Sequence, residues 1–110
     1  MFGFKHAIRG LFLMIKTERN FKIHVFALVC VLSLGFLLDI TTQDWISILM
    51  VSALVISLEI INSAIEKICN LYSTDKNEKI KNIKDISAGA VLMAALVAFI
   101  VGVLVFYPYI

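Results

Sequence analysis

The sequence is short of charge. Of its 110 residues, 16% are Asp, Glu, Lys or Arg, where a soluble domain carries about 25%. Hydrophobic residues make up 61%, and the mean hydropathy is +0.96. A chain of this length forms one domain at most. It cannot enclose so much apolar surface in a water-soluble core, and the same composition excludes disorder and a coiled coil. Cysteine is scarce too. Cys30 and Cys69 show no CxxC or zinc spacing, which excludes a disulfide-stapled secreted fold and leaves two free packing thiols. The net charge of +2 is too small to indicate nucleic acid. The glycines, at 3, 10, 35, 89 and 102, are scattered, and no GxxxxGK[ST], protein-kinase signature or GxSxG occurs. His6 and His24 form no metal spacing with each other. The first 24 residues carry charges throughout and lack an uninterrupted apolar core, so no cleavable signal peptide is expected. A membrane protein remains.

Three apolar runs are present: Val25 to Leu38, Trp45 to Leu58 continuing as a more polar helix to about Leu71, and Ile86 to Tyr107. A spanning helix needs about 20 mostly apolar residues. The third run qualifies outright, and the first two do so with their flanks. The reading is all-α: one domain over 1–110, an interfacial helix at about 3–20, and membrane helices at 24–40, 45–71 and 84–107. All ten basic residues fall in two places. Lys5, Arg9, Lys16, Arg19 and Lys22 precede the first span, and Lys67, Lys76, Lys79, Lys81 and Lys84 lie between the second and third. The loop with Asp39 and Asp44 has no base, nor does the C-terminus. The positive-inside rule then puts the N-terminus in the cytoplasm and the C-terminus outside. Trp45, Tyr107 and Tyr109 fall where an outer aromatic belt belongs.

Before the first span, Phe4, Ile8, Leu11, Phe12 and Ile15 share one helical face, and Lys5, Arg9, Lys16 and Arg19 another. This is a basic amphipathic helix suited to a membrane surface. Glu18 sits at the edge of the apolar face, either solvated at a fraying end or aimed at the protein interior.

Glu59 follows fourteen apolar or small residues. It lies about 21 Å along the helix from Trp45, inside a hydrocarbon layer of about 30 Å. A carboxylate at that depth is costly and marks a function by default. Asn62, Glu66, Asn70 and Ser63 follow at angles of about 300°, 340°, 20° and 40° from it, so one helix carries a polar stripe. Oxygen donors of this kind suit a hard cation such as magnesium, and the deep carboxylate suits a general base. The alternative is a polar seam that holds helices together. Lys84 is either a positive-inside anchor or a phosphate contact. Ala90, Ala94, Ala98 and Gly102 form a small-residue stripe that allows close helix approach. A single three-helix protomer offers few walls for a site, so an oligomer is expected. Composition and spacing name no reaction.

Three segments resemble the prokaryotic diacylglycerol kinase family. Glu59-Ile60-Ile61-Asn62-Ser63-Ala64-Ile65-Glu66 is similar to its ExxNSAIE signature. Lys84-Asp85-Ile86-Ser87-Ala88-Gly89-Ala90-Val91-Leu92 is similar to KDxxAGAVL. Glu18-Arg19-Asn20-Phe21-Lys22-Ile23-His24 resembles the ENFxxH stretch of short members. The three occur in the family's order. The resemblance implies a homotrimeric lipid kinase of the bacterial cytoplasmic membrane that uses MgATP to phosphorylate a lipid alcohol at the cytoplasmic face. It implies Glu59 as the base, Glu18 and Glu66 as magnesium ligands, and Asn62 beside phosphates or metal. It also implies nucleotide contacts at His6, Asn77, Lys84 and Asp85, with Ser63 and Asn70 in support. The family usually has Asp at Asn70 and often His at Asn77. Asn70 removes a negative charge from the stripe and keeps an oxygen. The short N-terminus and the ENFxxH stretch favour undecaprenol over diacylglycerol as acceptor. Two further readings stand beside the kinase: a degenerate relative that binds lipid or acts as a scaffold, and a small proton-coupled transporter.

Overall fold

In a computed structural model, residues 2–72 and 77–110 are described. Four helices follow one another: α1 (Phe2–Thr17), α2 (Arg19–Leu38), α3 (Thr42–Tyr72) and α4 (Glu78–Phe106), with a single 3-10 turn at Tyr107–Tyr109. No strand occurs among the described residues. Helices α2, α3 and α4 are each long and apolar enough to cross a membrane. The protein is thus an all-α, multi-pass membrane protein. At 1.5 Å per residue, α3 is about 46 Å long and exceeds a hydrocarbon core of about 30 Å. Part of it must therefore project beyond the apolar layer.

Helices α2, α3 and α4 each start earlier than the apolar patterns predict, and caps set the starts of α3 and α4. Helix α4 starts at Glu78, six residues before the expected start. Asn77 Oδ1 accepts from the backbone N–H groups of Lys79 at 2.8 Å and Ile80 at 3.4 Å, which satisfies two orphan donors of the first turn. Thr41 does the same for α3, its Oγ1 accepting from Asp44 N–H at 3.1 Å. Between α1 and α2 the break is one residue: Glu18 is extended (φ −110°, ψ 112°). Asp39 ends α2 in the left-handed region (φ 53°), while Ile40 N–H reaches Gly35 O and Asp39 N–H reaches Phe36 O. That pair of bonds is a Schellman closure. Lys76, one of the expected basic residues, lies outside the described residues.

Helix α3 packs along α4, and α2 touches α3 more sparsely. At the Trp45 end, Ile40, Ile48, Val105 and Phe106 form a buried cluster backed by Trp45 and Tyr109. Gly35 permits this approach: a Cβ there would meet Trp45 Cη2 at 2.7 Å and Ile40 Cδ1 at 3.2 Å. Tyr109 Oη donates to Asp44 Oδ2 at 2.8 Å and accepts from Thr41 N–H at 3.3 Å. Trp45 and Tyr109 are therefore packed inside this end, and Tyr107 is the one of the three expected belt residues that is well exposed.

The small-residue stripe of α4 is split. Ala94 is buried, whereas a Cβ on Gly102 would meet open space. Near Gly102, α2 stands away from α4, and Ala98 and Gly102 wall an apolar cavity of about 290 Å³. Elsewhere the apolar faces point outward. Ile61, Ile68, Phe99 and Leu104 are all more than half exposed, as lipid-facing side chains are.

Candidate functional site

The polar stripe of α3 turns inward. Glu59, Asn62 and Ser63 are 6%, 8% and 3% exposed, and no other polar side chain among the described residues is buried. Glu66 is half-buried and Asn70 exposed further along the same face. An amphipathic helix in lipid is inverted: Ile61 and Ile68 face out and the carboxylates face the other helices. Burial of three adjacent polar groups costs free energy unless each is paired. The pairing is incomplete, since Asn62 Oδ1 is buried without a hydrogen-bond partner. Native proteins rarely leave such an atom unless a ligand or ion uses it.

Three contacts tie other elements to the stripe. At the α1–α2 break, Glu18 Oε1 accepts from Ser63 Oγ and from Lys67 Nζ. The extended backbone of Glu18 frees its side chain to reach α3. Lys67 and, after it, Ser63 hold its carboxyl below the usual carboxylate range by hydrogen bonding, against a smaller opposing effect of burial. Of the two readings of Glu18, the interior one is observed. On α2, His24 Nε2 lies 3.6 Å from Glu59 Oε2. On α4, Lys84 Nζ donates to Asn70 Oδ1 at 2.7 Å. So Asn70, where an aspartate was expected, still binds the lysine through an oxygen.

The other anticipated residues are spread around this face. Asp85 pairs with Lys81 at 2.8 Å on the exposed surface of α4. Asn77 is engaged as the cap of α4. His6 is exposed on α1.

Two groups were not singled out from sequence as site residues. Lys67 was counted only as a topology-setting base, yet it is the cation facing Glu18. It lies four residues after Ser63, one helical turn, so its place beside the stripe was readable. His24 was noted only within a motif. Its signal is positional: it is the last titratable residue before the apolar run from Val25.

No group of three or more His, Cys, Asp or Glu among the described residues forms a metal cage. Magnesium does not require one: it is held by one or two carboxylates together with water and substrate phosphates. Glu18, Glu66 and the unpaired Asn62 oxygen are hard donors that fit this pattern, and Lys67 already places a cation against Glu18.

The site is thus a carboxylate–amide cluster buried in one end of a multi-pass helical membrane protein. The sequence profile of the prokaryotic diacylglycerol kinase family matches residues 5–106. An undecaprenol kinase of Bacillus subtilis is 38% identical over 106 residues, covering 96% of this chain and 86% of that protein. A diacylglycerol kinase of Synechocystis is 38% identical over 91% of this chain and 58% of its own length. One from Haemophilus influenzae is 30% identical over 93% and 88%. The chain belongs to the prokaryotic diacylglycerol kinase family. It is a membrane lipid kinase, and kinase chemistry implies ATP as co-substrate.

Proposed function

We propose that this protein transfers the γ-phosphoryl group of ATP to the hydroxyl of undecaprenol, in preference to diacylglycerol, as a homotrimer in the bacterial cytoplasmic membrane. The N-terminus and the site lie on the cytoplasmic side and the C-terminus outside. The observation that carries the reading is Glu59: a carboxylate 6% exposed, 3.6 Å from a histidine that lines an apolar cavity. An alcohol whose hydrocarbon lies in that cavity brings its hydroxyl toward Glu59, which takes the proton as the oxygen attacks phosphorus. Glu18 and Glu66 would hold magnesium, whose charge would offset that of the phosphates. Asn62 offers its unpaired oxygen to that metal or its water. Lys84, kept on the stripe by Asn70, meets phosphate as a point charge, with Asp85, Asn77 and His6 around the nucleotide and Ser63 fixing Glu18.

Two observations favour undecaprenol. The undecaprenol kinase relative is 38% identical over 86% of its own length, whereas the Haemophilus influenzae diacylglycerol kinase, aligned over a similar 88%, is 30% identical. The cavity also continues into a second one of about 380 Å³ through the shared walls Val31, Ala98, Phe99 and Gly102. Together they form one continuous apolar groove along α2 and α4, which would seat the hydrocarbon of a long-chain alcohol.

The test is phosphoryl transfer from labelled ATP in mixed micelles, with magnesium and with undecaprenol and diacylglycerol competing. Label is expected chiefly in undecaprenyl phosphate. Preferential label in the glycerolipid reverses the acceptor, and label in neither, from a folded oligomer, rejects the kinase reading in favour of a lipid-binding scaffold. Glu59→Gln should lower kcat by about 10²–10⁴-fold, the range for a positioned base.

A further inference from the structure

The apolar cavity and the buried carboxylate touch at one residue. Glu59 does not line the cavity, and the walls are aliphatic or aromatic apart from Ser52 and His24. His24 belongs to both, lining the cavity and lying 3.6 Å from Glu59 Oε2. Its side chain is 28% exposed and that of Glu59 is 8% exposed, so the imidazole stands between the buried acid and the open space. We propose that His24 is a positioning residue for phosphoryl transfer: it orients the Glu59 carboxylate toward a hydroxyl arriving from the cavity. This rests on the reading of Glu59 as the base.

The geometry favours orientation over a permanent ion pair. At 3.6 Å the atoms are beyond hydrogen-bond distance, and such contacts in catalytic sites tighten when substrate enters. Rotation of either side chain closes the gap. A neutral imidazole can donate one N–H to Glu59 Oε2, which leaves the other carboxylate oxygen for the lipid hydroxyl. A protonated imidazole instead pairs with the carboxylate and competes with the hydroxyl for it. The surroundings make this pair self-contained. Against the cavity α4 presents Ala95, Ala98, Phe99 and Gly102, with no ionisable group. From α3 the neighbouring polar groups are Ser52 on the cavity wall and Asn62 and Ser63 beside Glu59. On α2 the nearest charge is Lys22, two residues back and exposed. Glu18, at the α1–α2 break, is occupied by Ser63 and Lys67.

The test compares His24→Phe, His24→Gln and Glu59→Gln in the full-length protein, by kcat and lipid KM. Phe keeps a ring for the cavity wall but has no nitrogen. Loss of carboxylate alignment should lower its kcat by about 10–100-fold, the scale of a small misplacement at a reacting centre, with lipid KM little changed. Gln restores one N–H donor and should recover part of that loss. A kcat for His24→Phe equal to that of the wild type overturns the proposal; if that variant fails to fold, a His24→Gln kcat equal to that of the wild type does so. So does a defect confined to lipid KM, which would make His24 a wall of the cavity and nothing more. Glu59→Gln separates the two readings. If it turns over like the wild type, the base assignment falls and His24 with it. If it is inactive while both His24 variants match the wild type, only the role of His24 falls.

Discussion

The two ends of the helix bundle handle polar groups in opposite ways. At the Trp45 end Tyr109 pairs with Asp44 and the Thr41 backbone, and Thr41 with the first turn of α3. Gly35 there lets Trp45 approach closely enough that a methyl group would collide. At the Glu59 end three buried polar residues share few partners, one amide oxygen has none, and α2 approaches α3 only to 3.6 Å at His24. One end spends its contacts on rigidity, and the other leaves donors and acceptors uncommitted. A protein that must admit a lipid hydroxyl and a nucleotide requires the second kind of end. The first kind keeps the helices together while the second stays open.

The largest expected effect breaks this contrast at Asn62. Asn62→Leu replaces an amide whose oxygen is unpaired with an apolar side chain of similar size. Removing an unsatisfied buried acceptor relieves about 1–3 kcal/mol, so the variant should unfold at higher temperature or denaturant than the wild type. Its phosphoryl transfer should fall by about 10²-fold or more, as for loss of a group that stabilises transferring charge. Thermal unfolding in detergent and the labelled-lipid assay check the two halves. A stabilised and fully active variant would mean that the orphaned oxygen has no ligand.

Gly35→Ala sharpens the contrast from the other side. The added methyl must displace Trp45 or Ile40, and overpacking of this kind costs about 1–3 kcal/mol. The expected result is a lower unfolding midpoint with kcat unchanged in the folded fraction, because the clash lies beyond the cavity from Glu59. A fall in kcat without a fall in stability would show that the two ends are coupled.

The α3 stripe was legible because a period of 3.6 residues is strict: Glu59, Asn62, Ser63 and Glu66 had to share a face, and that face had to turn inward in lipid. The spans were legible from length and hydropathy alone. Their ends were not, because Asn77, Thr41 and Asp39 set them through one or two local hydrogen bonds that leave no trace in an apolar pattern. The partners across the bundle were less legible still. That Glu18 meets Lys67, or Lys84 meets Asn70, depends on how helices lean, and the helix period carries no information about lean. The contacts of Trp45 with Gly35 and of Tyr109 with Asp44 were hidden for a related reason, since they too depend on how the helices lean.

Lys67 offers a smaller effect at the Glu59 end. Its ammonium group occupies one side of the Glu18 carboxylate, where the proposed magnesium would bind. Lys67→Met keeps the length of the side chain and removes the charge, so the activating magnesium concentration should fall by a few-fold, the size of a partly exposed charge pair. The same pair sets an acid sensitivity. Because the folded Glu18 carboxyl titrates below its ordinary value, its tie to α3 is complete above that ordinary value. The tie is lost as pH falls through the lower, folded value. In Lys67→Met this part of the acid dependence of the unfolding midpoint should shrink, since Lys67 is the main cause of the lowering.

The smallest effect lies back at the closed end, at Asp39. It is the one non-glycine residue with positive φ among the described residues, at 53°, and it holds the closure that lets Ile40 enter the buried cluster. A left-handed conformation costs a residue with a Cβ about 1–2 kcal/mol, less for Asp, whose short polar side chain tolerates it. Glycine pays no such penalty but loses more entropy on folding. The two terms oppose each other, and the steric one is larger at a helix C-terminus, where glycine is the common residue. Asp39→Gly should therefore raise the unfolding midpoint by no more than about 1 kcal/mol in stability, with no change in magnesium dependence, kcat or lipid KM. Measured beside Gly35→Ala, it tests whether stability can be moved in both directions at the closed end without reaching the open one. A change in kcat from Asp39→Gly would require strain to pass along the whole of α2 to His24, and the loose packing of α2 on α3 gives that strain little to act on.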